Sequence, residues 1–128
     1  MHMLHHISFS VVDLERSAAF YDAALRPLGF RRVYSSKNFV GYGIEDGEDK
    51  FSITMKSKTV TPPSPGFHLA FSAGNASAVD AFHAAAISHG GMDNGAPGPR
   101  PQYGLHYYAA FVIDPDGYHL EAVITDPP

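Results

Sequence analysis

Two histidines and one glutamate carry the chemistry this chain can do. His6 opens the segment His-Ile-Ser-Phe-Ser, and 62 positions later His68 opens His-Leu-Ala-Phe-Ser. Glu121 stands between Leu120 and Ala122 in an otherwise apolar run near the C-terminal end. A carboxylate among apolar neighbours is costly if buried unpaired, so it calls for a cation. Two imidazoles that open equivalent segments of a repeat can be brought across a pseudo-two-fold axis, where they make a metal site that needs only a carboxylate.

The elements that must position these residues are duplicated. Residues 6–29 and 68–91 agree at 8 of 24 positions, namely His6/His68, Phe9/Phe71, Ser10/Ser72, Ala19/Ala81, Phe20/Phe82, Ala23/Ala85, Ala24/Ala86 and Gly29/Gly91. Each copy reads as a strand followed by a helix. In the first, residues 4–12 alternate, with His6, Ser8 and Ser10 on one face and Ile7, Phe9 and Val11 on the other. Asp13 is placed to cap a helix whose Leu14, Ala18, Tyr21, Leu25 and Leu28 fall at helical spacing and which Gly29 ends. Strands are predicted over 30–35, 38–44 and 50–57, the last two joined near Glu45–Asp49, a solvated turn without calcium-loop spacing.

Thr61-Pro-Pro-Ser-Pro-Gly66 reads as a linker. The second copy repeats the order, with a strand over 67–73 and a helix capped by Asn75 or Ser77 that ends at Gly90-Gly91. Phe20 and Phe82 are expected in the core. Residues 93–104, rich in proline and glycine, read as a long ordered loop, a length uncommon unless functional. A strand over 106–113, the turn Asp114-Pro-Asp-Gly117, a strand over 118–125 and the tail Asp126–Pro128 complete the chain. The expected organisation is one domain over 1–128, with repeat 1 at about 3–58, a linker at 59–66 and repeat 2 at about 67–126.

Composition narrows the functional classes. The 128 residues carry a formal charge of −4, which gives no electrostatic case for nucleic acid or an anionic membrane. The absence of cysteine excludes disulfides, thiolate metal sites and thiol nucleophiles. Without an apolar h-region at its start or a stretch of transmembrane length, the chain is expected to be soluble and cytoplasmic.

Four segments together resemble the vicinal oxygen chelate superfamily of glyoxalases, fosfomycin- and bleomycin-resistance proteins and extradiol dioxygenases. They are His6-Ile-Ser-Phe-Ser-Val-Val-Asp-Leu-Glu-Arg-Ser17 with Phe20-Tyr21, His68-Leu-Ala-Phe71, Tyr107-Tyr-Ala-Ala-Phe-Val112 and Asp114-Pro-Asp-Gly-Tyr-His-Leu-Glu-Ala-Val123. The resemblance implies an α+β fold of two βαβββ repeats forming a barrel-like cavity. It also implies one divalent metal ion (Fe, Mn, Zn or Ni) on His6, His68 and Glu121, and a homodimer acting on a small-molecule substrate. The family's fourth ligand falls at Ser52, a poor donor, with Thr54 next on the same face. That departure argues against the two-carboxylate chemistry of glyoxalase I and leaves Ser52 as a substrate-binding candidate.

Glu121, His119 and Tyr107 are the catalytic candidates, and Arg100, Tyr103 and Tyr108 the remaining substrate-binding ones. The resulting expectation is a metal-dependent lyase, isomerase or dioxygenase. The alternatives are a metal-free, antibiotic-type binding protein of the same fold and an interaction module whose site has decayed.

Overall fold

A computed structural model describes residues 2–127, so the tail's final Pro128 lies outside the described residues. The element order is β1 (Ile7–Ser10), α1 (Leu14–Leu25) with a 3-10 turn at Arg26–Leu28, β2 (Arg31–Ser36), β3 (Phe39–Gly43) and β4 (Asp49–Thr54) in the first half. The second half follows with β5 (Leu69–Ser72), α2 (Ala76–Ser88), β6 (Met92–Pro99), β7 (Tyr108–Ile113) and β8 (His119–Ile124). This is βαβββ twice. The two four-stranded sheets have the orders β1-β4-β3-β2 and β5-β8-β7-β6. In each, the first strand of the unit pairs in parallel with the last, which brings the histidine-led segment beside the strand able to supply a second donor.

Asp13 caps α1 by accepting from the Arg16 amide, and Asn75, not Ser77, caps α2 by accepting from Ala78. The matched glycines do different work. Gly29 takes φ 91° to end the first helical segment, and Gly90, with φ 96°, takes that role in the second unit. Gly91 is needed for closeness, because a β-carbon there would stand 2.7 Å from Phe20 and 2.8 Å from the Ala86 carbonyl.

One core serves both halves. Phe20 and Phe82 are fully buried, as their recurrence predicts, and α1 packs on α2. The Phe9 ring stacks on Tyr118 with centroids 4.0 Å apart, and Phe51 meets Phe71 edge-on at 5.4 Å. The Asp114–Gly117 turn is also a brace between the halves. Asp114 accepts from the buried Tyr21 hydroxyl at 2.5 Å, while Asp116 accepts from the Val12 amide, the Arg16 guanidinium and the Ser17 hydroxyl. Burial pushes the Asp114 carboxyl up to about 6, against the pull of its hydrogen bonds.

The expected loop at 93–104 is corrected. Residues 92–99 form β6, an edge strand on β7 whose register shifts between Asp93 and Gly95 and again between Gly95 and Gly98. An edge position and bulges are the places where a sheet accepts proline, so Pro97 and Pro99 do not break the ladder. Only residues 100–107 remain as a turn, closed by a hydrogen bond from the Arg100 amide to the Tyr107 carbonyl at 2.8 Å.

Candidate functional site

Along β8 the side chains alternate. Leu120 and Ala122 enter the core, and Glu121 emerges on the sheet face turned away from that core. Phe111 stands opposite Glu121 in the β7–β8 ladder and so shares its face. His68, one residue ahead of β5, reaches the same place from the neighbouring parallel strand.

The result is a compact group. His68 Nε2 lies 2.9 Å from Glu121 Oε1, and the Tyr107 hydroxyl donates to Glu121 Oε2 at 2.5 Å. The Glu121 side chain is 2% exposed and that of His68 49%, so the carboxylate is covered while the imidazole stays open to a ligand. Burial first, and then the adjoining Glu121 carboxylate, push the Tyr107 phenol up to about 12. Tyr107 therefore stays protonated at neutral pH and acts as a donor that fixes Glu121. Tyr103 packs edge-on to Tyr107 at 5.4 Å. On the other side, the Phe111 ring lies 6.4 Å from the His68 ring, and the Arg100 guanidinium sits 5.4 Å above Phe111.

The sequence-predicted residues thus divide. His68, Glu121, Tyr107, Tyr103 and Arg100 share one face of the second sheet. His119 is half-buried on the same strand, two residues before Glu121. Tyr108 turns the other way and donates to Asp80 on α2 at 2.7 Å. Phe111, which joins His68 to Arg100, was missed; its position opposite Glu121 was the signal available for it.

His6 and Ser52 lie on the first sheet. Register shows how the halves correspond, since Ser8 pairs with Ser52 in β1–β4 as Ala70 pairs with Glu121 in β5–β8. Ser52 therefore stands where the second half has its carboxylate, and its hydroxyl is spent on Ser8 at 2.9 Å. His6 is exposed, with its Nδ1 2.9 Å from that of His5. Among the described residues, no three His, Asp or Glu side chains converge as a metal site within one chain. The donor chemistry of His68 and Glu121 fits two ligands of a divalent ion, and a third protein donor would have to come from outside this pair.

A cleft of about 620 Å³ opens on the other side of β5, lined by Ile7, Phe51, Leu69 and Phe71 among others, with His6 at its rim. Met3, Leu4, Ile44 and Phe67 add exposed apolar surface. No helix among the described residues is long and apolar enough to cross a membrane.

The fold recurs in solved structures. A glyoxalase/bleomycin resistance protein from Albidiferax ferrireducens is 34% identical, with TM-score 0.81 over 95% of this chain and 98% of that one. A glyoxalase-related enzyme from Fulvimarina pelagi shares the fold at 20% identity and TM-score 0.71, covering 95% of this chain and 88% of its own. Glyoxalase I from Zea mays is 26% identical with TM-score 0.68; the match spans 92% of this chain but only 44% of the maize one. No curated protein matches the sequence. The family model for the Glyoxalase/Bleomycin resistance protein/Dioxygenase superfamily matches residues 3–122, which takes in both histidines, the duplicated βαβββ unit and Glu121, and the chain belongs to that superfamily.

Proposed function

We propose that the protein is a divalent-metal-dependent enzyme (lyase, isomerase or dioxygenase) acting on a small substrate with vicinal oxygens, with each site shared between two copies of the chain. The observation that carries this reading is the His68–Glu121 pair, a covered carboxylate in contact with a half-open imidazole on a sheet face lined by Tyr103, Tyr107 and Phe111. His68 and Glu121 of one copy, with His6 of the other, would hold the ion. When bound, it would polarise two adjacent substrate oxygens as a Lewis acid. Tyr107 holds Glu121 in one orientation, the outer-shell role that tunes a ligand's geometry. Its phenol keeps its proton, which suits Tyr107 to donating rather than accepting a proton, and His119 is the further acid/base candidate on this face.

A homodimer is part of the same proposal. The short strands β1 and β5 are sheet edges, and the apolar residues Ile7, Leu69 and Phe71 on them are only partly buried. A second copy covering these edges would bring His6 toward His68 and Glu121. A cytoplasmic location belongs to the same proposal, in keeping with a cysteine-free chain.

The alternative, a metal-free binding protein, is favoured by one observation. Both Glu121 oxygens already have partners in His68 and Tyr107, so the carboxylate is satisfied without an ion. Elemental analysis of the purified protein, beside His68→Ala and Glu121→Ala, separates the two. About one divalent ion per chain, lost in both variants, supports the enzyme. No ion, and none taken up from Fe(II), Mn(II), Ni(II) or Zn(II), overturns it and leaves the binding protein.

A further inference from the structure

Arg100 has a setting unlike that of the chain's ion-paired arginines. Arg16, Arg31 and Arg32 each pair with an aspartate, whereas among the described residues no carboxylate lies within ion-pair distance of Arg100. Its guanidinium is held by main-chain carbonyls instead. Nη2 donates to Ala96 at 2.7 Å, and Nη1 to Gly98 at 2.9 Å and Pro99 at 3.4 Å.

The perch is built by the sequence around it. The Ala96 and Gly98 carbonyls lie at the second register shift of β6, between Gly95 and Gly98, and that of Pro99 follows it. A β-carbon at Gly98 would stand 3.3 Å from Nη1, and one at Gly95 would stand 3.4 Å from Nη2 and 3.0 Å from Phe111. Neither glycine can take a side chain without crowding Arg100 or the ring beneath it. The carbonyls leave the net positive charge in place. The Phe111 face attracts that charge, and the same ring borders His68.

A fixed, half-buried cation without a counter-ion, one ring away from the site's centre, is equipped to take an anion. Guanidinium groups bind carboxylate and phosphate through paired N–H donors. We infer that Arg100 is a substrate-recognition residue, and that the ligand of this site carries an anionic oxygen group, a carboxylate or a phosphate, bound at Arg100 while its other end lies at His68 and Glu121. This rests on the reading of His68 and Glu121 as the site's centre, and it narrows the substrate class from any small oxygenated molecule to an anionic one.

The test uses benzoate, phenylphosphonate and the neutral benzyl alcohol as probes. Each is titrated into the full-length protein, after chelator treatment and again after Zn(II) addition, while the Arg100 side-chain Nε–Hε resonance is followed by NMR. That resonance is assigned by its loss in Arg100→Gln. Both anions are expected to shift it with affinities at least about tenfold above that of benzyl alcohol, the scale of one charge-assisted hydrogen bond. The ratio of benzoate to phenylphosphonate affinity tells carboxylate from phosphate. Arg100→Gln, followed by calorimetry, should bind all three probes alike. Arg100→Lys and Gly98→Ala, which keep a cation but lose or crowd the fork, should fall between.

Equal binding of the three probes to the wild type overturns the inference. So does a preference for anions that survives in Arg100→Gln while only its Tm falls, because Arg100 would then be a staple for the turn. If Zn(II) does not bind and the anion preference persists, the metal reading fails and this inference stands.

Discussion

Glu121 holds two partners at once. His68 Nε2 lies 2.9 Å from one carboxylate oxygen, and the Tyr107 hydroxyl donates to the other at 2.5 Å. If this trio is a ligand pair with its orienting donor, Tyr107→Phe should keep the fold and weaken Zn(II) binding by about 10–100-fold, the usual effect of losing an outer-shell hydrogen bond. Competition against a chromogenic chelator measures it. An unchanged affinity would mean that Tyr107 only fills space.

A site shared between copies makes a complementation prediction. His6→Ala and His68→Ala are each expected to lose metal as homodimers. Mixed and allowed to exchange subunits, they should regain it, because one of the two sites in each heterodimer then draws both histidines from unmutated positions. No recovery after exchange, with dimers present by light scattering, would rule out sites shared between copies.

The Asp114 carboxyl ties pH to stability. Its folded pKa of about 6 lies above the ordinary 3.8, chiefly through burial, so the folded state holds this proton more tightly than the unfolded chain. As pH falls from 7 toward 4 this group therefore adds stability, up to about 3 kcal/mol, and above pH 6 its ionised form opposes folding. Asp114→Asn, which resembles the protonated acid and keeps an acceptor for the Asp116 and Tyr118 amides, should flatten this part of the curve. Urea denaturation at pH 5 and pH 7.5 compares the two proteins; equal slopes would refute the assignment.

Gly91→Ala should destabilise the fold by about 1–3 kcal/mol through overpacking, because the added methyl meets Phe20 and the Ala86 carbonyl. A denaturation midpoint within error of the wild type would show that α1 and α2 can yield at this contact.

Much of this molecule could be read from its residues because the repeat constrained it. The shared His-x-x-Phe-Ser segments announced two strand–helix units, and Asp13 and Asn75 capped the helices where their types suggested. Residues 92–99 escaped because proline and glycine signal loops in general, while an edge strand with two bulges accepts both. Tyr108 neighbours Tyr107 in sequence, yet it enters β7 facing α2 and donates to Asp80, a partner the sequence does not name. The separation of His6 from His68 was beyond the sequence, since an internal repeat predicts equivalent positions without saying which copies of the unit face each other. The bracing role of Asp114 and Asp116 was hidden for a similar reason, as a turn motif does not name its distant partners Tyr21 and Ser17.

The four outer strands differ in how well their edges are guarded. β6 carries Pro97 and Pro99, which have no N–H to offer a further strand, and its bulges disturb the spacing a docking strand would need. β2 carries Arg31 and Arg32, charges of the kind that discourage edge-to-edge stacking. β1 and β5 have neither proline nor charge. Proline, bulges and charge thus guard the far ends of both sheets against edge-to-edge stacking, and the proposed pairing of two copies would use the two edges next to His6 and His68.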